Sequence, residues 1–105
     1  MKNKKKLTPK KVFDLVSKIP PGSVTTYKEI AIALGAPLNS RVVGNILSQN
    51  TDLISVPCHR VIRSDGFLGG YVKGSREKKR LLEEEGVVFV SETRIDLKDH
   101  FIKLK

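Results

Sequence analysis

The chain has 105 residues, a length typical of a single domain with a modest core, and its one cysteine cannot form an internal disulfide. No apolar run reaches membrane-spanning length, and His59 and His100, the two histidines, form no cluster with zinc-ligand spacing. A net charge of +9 predicts an acidic partner, most simply nucleic acid. We therefore expect a cytoplasmic monomer of a reducing compartment, with no metal, no cofactor and no membrane association.

The positive charge is concentrated at the N-terminus. Residues 1–11 hold six lysines and no acidic residue, which leaves +3 for the rest of the chain. We expect residues 1–7 to form a basic arm and residues 8–105 to form the folded domain. A solvated terminus is the simplest interpretation of the arm, although its lysines can add salt-sensitive attraction to phosphate.

The first predicted helix covers about residues 9–18. Thr8 can cap it, Pro9 suits the first helical position, and residues 20–22 (Pro-Pro-Gly) end it. Its apolar stripe consists of Val12, Phe13, Val16 and Ile19.

Two short helices separated by a tight turn are predicted next. In TTYKEIAIALGAP, Thr26 and Glu29 have capping-box spacing and Gly35 supplies a stop. In NSRVVGNILSQN, either Asn39 or Ser40 is the cap. The pair is typical of a helix-turn-helix, although any two short antiparallel helices give a similar pattern. The residues expected to face inward are Ile30, Ala31, Leu34, Val43, Ile46 and Leu47.

The second half of the chain predicts less regular structure. DLISVPCHRVI is a short apolar run that we expect to be buried, extended or looping chain, and residues 64–66 form a turn. Gly69 and Gly70 allow a sharp bend or the close approach of a ligand. Ser75 is expected to cap a helix over residues 76–85, and VVFVSETRIDL to form a small hairpin. The predicted fold is mainly α with a small β component, a winged-helix-like helix-turn-helix domain.

The single thiol has an unusual local setting. A lone cysteine is most often a small buried hydrophobe, but Cys58 adjoins His59 and lies near Arg60 and Arg63, and such neighbours favour the thiolate. In extended chain, adjacent side chains point to opposite faces, so His59 could reach Cys58 only at a kink or through a water molecule. A carboxylate from residues 83–85 could orient His59, and a solvated helix end is the alternative interpretation of that acidic run.

A candidate nucleophile, a helix-turn-helix pattern and a basic surface together indicate a reactive thiol presented to DNA. Residues 57–61, PCHRV, match the active-site signature of the O6-alkylguanine-DNA alkyltransferases (methylated-DNA–protein-cysteine methyltransferases), and the chain resembles this family over nearly its whole length. The other similar segments, in the same order and spacing, are residues 22–27, 41–44, 50, 69–71, 81–86 and 94–97.

The resemblance implies the repair of DNA by irreversible transfer of an alkyl group from O6 of guanine to Cys58, once per molecule. It implies that His59 acts through a water molecule as general base and that Glu85 orients His59. It also implies that Asn50 holds the turn around the site by hydrogen bonds. Tyr27 would contact the DNA backbone and assist protonation of the departing guanine.

The resemblance also implies how double-stranded DNA carrying O6-alkylguanine would be bound. Arg41, at the start of the second helix of the pair, would enter the base stack in place of the flipped base, and Gly44 would permit close approach in the minor groove. Thr8, Lys28 and Ser64 align with DNA-contact positions, with an ordinary cap or surface residue as the alternative for each. The expected substrate pocket consists of Tyr27, Val56, Pro57, Gly69 and Gly70.

Three differences from the family pattern affect these expectations. We expect the family's N-terminal domain to be absent. Leu68 stands where a hydroxyl residue often contacts the base, which would remove one polar contact and alter the substrate range, and Ala36 replaces a common Asn.

The short length also resembles the alkyltransferase-like proteins, which bind O6-alkylguanine without transfer, mark it for excision repair and typically carry Trp at the cysteine position. The retention of Cys58 with His59, Asn50 and Glu85 favours transfer. A general transcription regulator is a third interpretation, and it would leave the PCHR setting of the thiol unexplained.

Overall fold

The computed structural model describes residues 7–104, which form a mainly helical chain with one two-stranded sheet. Residues 1–6 of the predicted basic arm and Lys105 lie outside the described residues. The elements in chain order are α1 (Pro9–Val16), β1 (Thr25–Thr26), α2 (Tyr27–Ala33), α3 (Ser40–Leu47), a 3₁₀ turn (Cys58–Arg60), β2 (Val61–Ile62), α4 (Ser75–Glu84) and α5 (Leu97–His100). This architecture, with α2 and α3 as the helix-turn-helix pair, confirms the predicted fold class.

The first two helices begin where the sequence predicts. Oγ1 of Thr8 accepts a hydrogen bond from the backbone N–H of Lys11 (3.2 Å), and Oγ1 of Thr26 accepts one from the backbone N–H of Glu29 (2.9 Å). Each bond satisfies one of the amide donors that a helix leaves free in its first turn. Gly35 adopts a φ of +80°, so the chain leaves α2 in a conformation that only glycine reaches without strain.

Two clusters of buried side chains hold these elements together. The first lies between α1, α2 and α3 and consists of Val12, Leu15, Val16, Ile19, Ile30, Ala31, Val43, Leu47, Cys58 and Val61. The second lies under α4 and consists of Val24, Ile62, Leu68, Leu82, Val87 and Ile95. Cys58 therefore belongs to the first cluster.

The small sheet brings distant parts of the sequence to one place. β1 pairs with β2 in parallel, with Thr25 opposite Val61 and Thr26 opposite Ile62. Because β1 leads directly into α2 and β2 directly follows the 3₁₀ turn, this register places Tyr27 beside Cys58. The pairing is the structural reason that the thiol lies against the helix-turn-helix.

Residues 58–60, expected to be buried, extended or looping chain, form a 3₁₀ turn in which Cys58 and His59 are buried. Two predictions of local structure were wrong. Ser75 is the first residue of α4 and not its cap, because Gly74 takes the cap position with a φ of +94°, which suits glycine. The expected hairpin is reduced to one bridge between Phe89 and Ile95, because residues 93–95 give their backbone hydrogen bonds partly to residues 66–68.

Within residues 7–104, no helix has the length and apolar character needed to cross a membrane. The same part of the chain contains no group of three or more His, Cys, Asp or Glu side chains placed to hold a metal ion.

Candidate active site

A cavity of about 640 Å³ opens beside Cys58. Its walls come from the start of α2, the C-terminal half of α3, the 3₁₀ turn and the loop that follows β2. The lining residues are Tyr27, Gly44, Leu47, Ser48, Cys58, Arg63, Gly69, Gly70, Tyr71 and Val72. Because Cys58 is only 6% exposed, a reagent reaches the thiol from this cavity rather than across an open surface.

The 3₁₀ turn separates the directions of the Cys58 and His59 side chains. A 3₁₀ helix has three residues per turn, so successive side chains are rotated by about 120° around its axis. The side chains of Cys58 and His59 therefore point in different directions, but not to opposite faces. Cys58 lines the cavity, whereas His59 points behind it towards the end of α4.

His59 is paired with Glu85. His59 Nε2 lies 2.9 Å from Glu85 Oε2, and the two side chains are 7% and 17% exposed. A carboxylate at this distance is an acceptor, so we assign the ring proton to Nε2, which leaves Nδ1 with its lone pair. Nδ1 is buried and has no hydrogen-bond partner within residues 7–104. The free lone pair makes His59 a proton acceptor that Glu85 holds in orientation.

The surroundings keep this imidazole neutral. Burial lowers the pKa of His59 below its ordinary value of 6.5, and the hydrogen bond and charge of Glu85 oppose that effect without reversing it. Burial also acts on Glu85, raising its pKa, but hydrogen bonds from Arg60 and His59 outweigh it and hold the pKa of Glu85 below the ordinary value. Near pH 7 the pair is therefore a neutral imidazole beside a carboxylate.

Arg60 completes this pair, a role that the sequence prediction missed. Its Nε and Nη2 donate to the two carboxylate oxygens of Glu85 at 3.0 and 2.7 Å, and Nη1 donates to the carbonyl of Ile19 at 2.7 Å. The sequence indicates only that Arg60 is a cation near the thiol. The structure instead turns the guanidinium towards α4, where it fixes the carboxylate that contacts His59.

Asn50 closes the loop that leads to Cys58. Its Nδ2 donates to the carbonyl of Val56 at 2.8 Å and its Oδ1 accepts from the backbone N–H of Asp52 at 2.9 Å. Val56 and Pro57, both within the described residues, do not line the cavity, contrary to their expected place in the substrate pocket. Their carbonyls accept the backbone bonds that shape the turn, from Cys58 and Arg60 respectively.

Tyr27, Gly69 and Gly70 line the cavity. Burial, and then the charge of Cys58, raises the pKa of Tyr27, so its phenol stays protonated and can donate. Gly69 has a φ of +73°, and a Cβ there would lie 3.3 Å from Tyr27 Oη. The glycine thus allows the loop to pass close to the tyrosine.

Lys78 of α4 lies behind the part of the cavity wall that Tyr27, Gly69 and Gly70 form. This lysine was not identified from the sequence as part of the site. Its side chain is fully buried, and Nζ donates to the carbonyls of Leu68 (2.6 Å) and Gly70 (3.0 Å). Burial lowers the pKa of Lys78 to about 7. A signal was available, because Lys78 and Leu82 are spaced i, i+4 and share the inner face of α4.

Leu68, which stands where a hydroxyl residue often contacts the base in the family, does not line the cavity. Its side chain is 4% exposed and belongs to the second core cluster, while only its carbonyl points to Lys78. Ala36 is likewise buried, in the turn between α2 and α3, where its N–H donates to the carbonyl of Ala31 at 2.8 Å.

The residues expected to bind DNA lie in three places. Arg41 is exposed near the start of α3 and lines a shallow groove with Tyr27 and Gly44, two residues that also line the main cavity. Lys28 and Ser64 are exposed and line a separate depression beside α5. Thr8 caps α1, as its alternative interpretation had it.

Comparison with known proteins gives a consistent result. Residues 8–87 match the family model described as 6-O-methylguanine DNA methyltransferase, DNA binding domain. A methylated-DNA--protein-cysteine methyltransferase of Methanothermobacter thermautotrophicus is 51% identical over 78 residues, which cover 74% of this chain and 43% of that protein. The chain spans less than half the length of these curated relatives, from 29% to 48%.

Two solved structures share the fold. S. pombe Atl1 in complex with damaged DNA containing O6-carboxymethylguanine has a TM-score of 0.77 at 35% identity, covering 90% of this chain and 94% of that chain. Mycobacterium tuberculosis OGT in complex with DNA has a TM-score of 0.71 at 43% identity, covering 73% of this chain and 48% of that chain. The chain therefore belongs to the 6-O-methylguanine DNA methyltransferase family and contains its DNA-binding domain.

Proposed function

We propose that this domain repairs O6-alkylguanine in double-stranded DNA by transferring the alkyl group to Cys58, once per molecule. The observation that carries the proposal is the arrangement of Cys58 in the cavity wall with the His59–Glu85 pair behind it. Binding of the lesion alone requires only a cavity. A thiol near an oriented, neutral imidazole is the arrangement that nucleophilic transfer requires in addition.

In the proposed reaction, His59 Nδ1 takes the thiol proton of Cys58 through one water molecule. The thiolate attacks the alkyl carbon, so an S–C bond forms as the C–O6 bond breaks, and the electron pair of that bond passes to guanine. Tyr27 donates its phenol proton to the guanine anion, and the proton held on His59 returns through solvent to Tyr27. The products are neutral guanine and an S-alkyl cysteine, a stable thioether that ends the activity of the molecule.

The cavity supports the entry of a base flipped out of the duplex. Its volume of about 640 Å³ lies within the range of small-molecule sites, and its mouth adjoins the groove that Arg41 lines. Flipping costs a few kcal/mol of stacking and pairing. Arg41, exposed beside the cavity, would fill the space that the base leaves. Lys28 and Ser64 would contact the DNA backbone.

The test is the intact mass of the protein after incubation with a duplex oligonucleotide containing O6-methylguanine. Transfer predicts the addition of one methyl group, on the peptide that contains Cys58, and no addition to Cys58→Ala. A protein that binds the lesion but keeps its original mass would refute the transfer reaction.

Lesion binding without transfer, the function of the alkyltransferase-like proteins, is the second candidate. What favours it is that this chain covers 94% of Atl1, whose structure is in complex with damaged DNA. The same experiment distinguishes the two, because binding alone leaves the lesion in the DNA and the protein mass unchanged.

A further inference from the structure

Lys78 is a fully buried lysine whose role the proposed reaction leaves open. Its Nζ lies within hydrogen-bonding distance of the carbonyl oxygens of Leu68 and Gly70 and of Tyr27 Oη, the last at 3.5 Å. An ammonium group has three N–H donors and no acceptor, so three oxygens match its donors one for one. Burying a charge is costly, and an apolar residue at this inner position of α4 would avoid that cost.

The contact with Tyr27 restricts the direction of the phenol proton. When the ammonium of Lys78 donates to Oη, the hydroxyl is an acceptor on that side and its own proton must point elsewhere. Tyr27 lines the cavity beside Cys58, so the cavity is the neighbouring space into which the O–H can point. The lysine therefore makes Tyr27 a donor towards the place where the base would sit.

The same ammonium also holds the loop that lines the cavity next to Tyr27. The carbonyls of Leu68 and Gly70 flank Gly69, and both are drawn to Nζ, at 2.6 and 3.0 Å. Gly69, with its positive φ, is thereby held against the ring of Tyr27. One buried charge thus contacts both the donor and the loop beside it.

We propose that Lys78 is a positioning residue for alkyl transfer, which holds residues 68–70 against Tyr27 and turns the Tyr27 hydroxyl proton towards the leaving guanine. This inference rests on the proposed transfer reaction and identifies the residue that prepares its proton donor.

Loss of the Lys78 proton would reverse this arrangement. A neutral amine keeps two N–H donors for the two carbonyls and gains a lone pair, which accepts the Tyr27 proton and withdraws it from the cavity. Burial places this change near pH 7, since it lowers the pKa of Lys78 to about 7. The other titratable groups that face Lys78 are Tyr27 from α2 and Cys58 and His59 from the 3₁₀ turn. The transfer rate is therefore expected to fall on the alkaline side of neutrality.

The experiment measures single-turnover methyl transfer by the whole chain from a duplex containing O6-methylguanine, between pH 5.5 and 9. Lys78→Met is expected to lower the rate about 100-fold, the size of a general-acid contribution, and to lose the alkaline decline. Lys79→Met is the matched control, because Lys79 is the next residue of α4 and pairs with Glu92 at the surface; it is expected to keep the wild-type rate. In the double variant Lys78→Met/Tyr27→Phe, the fold-losses in transfer rate of the two single variants should not multiply. Both substitutions affect the same proton donor, the Tyr27 hydroxyl.

Tyr27→Phe alone keeps the inference testable if Lys78→Met does not fold, since this variant should also lose the alkaline decline. A Lys78→Met protein with the wild-type rate would overturn the inference, as would losses that multiply in the double variant. An alkaline decline that persists in Tyr27→Phe would also overturn it. A wild-type protein that never gains a methyl group would instead refute the transfer reaction itself.

Discussion

Replacing Glu85 by Gln would test the buried charge arrangement behind Cys58. The carboxylate of Glu85 accepts three hydrogen bonds, one from His59 at 2.9 Å and two from Arg60 at 3.0 and 2.7 Å. A glutamine has one carbonyl oxygen for these donors and directs an NH₂ group at the guanidinium. Arg60 would then be a cation, 14% exposed, without its counter-charge.

The expected loss of stability is large for a domain of this size. Removing one partner of a buried ion pair costs about 3–5 kcal/mol, and partial exposure of this pair places the loss near the lower end, about 3 kcal/mol. Domains of this length have a total free energy of unfolding of about 5–15 kcal/mol. The melting temperature should fall by roughly 4–8 °C for each kcal/mol lost.

A double-mutant cycle with Arg60→Met separates the pair from the packing around it. Because Glu85→Gln/Arg60→Met removes both charges, its loss should be smaller than the two single losses added together, by about 1–3 kcal/mol. The measurement is urea unfolding at pH 7 with the slope m compared among variants. Losses that add, or a Glu85→Gln protein destabilised by less than about 1 kcal/mol, would show that the carboxylate is not the common partner described here.

Three further predictions concern the cavity and its approach. Arg41→Ala should slow transfer from duplex DNA far more than transfer from free O6-benzylguanine, because only the duplex requires base flipping; equal losses would contradict this role. Gly69→Ala should cost about 1–2 kcal/mol in urea unfolding, since φ is +73° and the new Cβ would lie 3.3 Å from Tyr27 Oη; an unchanged unfolding midpoint would count against it. As the pH is lowered from neutrality, the transfer rate should not decrease until the pH is below 6.5, because burial lowers the pKa of His59 and only neutral imidazole accepts the thiol proton; an acid-side decline that begins above pH 6.5 would be inconsistent with this base.

The features that the sequence predicted well depend on neighbouring residues. The caps at Thr8 and Thr26 are bonds across three positions, and the end of α2 at Gly35 depends on the conformation of one residue. Patterns of this kind are visible in a short window of sequence. The 3₁₀ turn at residues 58–60 was not predicted, because its backbone bonds follow from the way Asn50 closes the preceding loop.

The roles of Arg60 and Lys78 depend on contacts across 25 and 51 positions, with Glu85 and Tyr27 respectively. A charged run such as REKKR is typical of a solvated helix face, and only the i, i+4 relation of Lys78 to Leu82 indicates that one of its lysines points inward. The partners of the buried charge, the carbonyls of Leu68 and Gly70 and the hydroxyl of Tyr27, follow from the packing of α4 against other parts of the chain, which no local pattern contains.

The family resemblance identified the thiol more reliably than it identified the residues that line the cavity, and position 68 shows why. The family resemblance assigns Leu68 to a position near the base, but its side chain belongs to the second core cluster, and Gly69, with a φ of +73°, follows it. What position 68 contributes to the site is its carbonyl, which binds Lys78 at 2.6 Å and which any residue would supply. The cavity wall next to Tyr27 is therefore formed by Gly69 and Gly70, with Lys78 behind it. On the proposed function, we expect substitutions at Tyr27 or Lys78 to alter the substrate range and substitutions at Leu68 to act through the core.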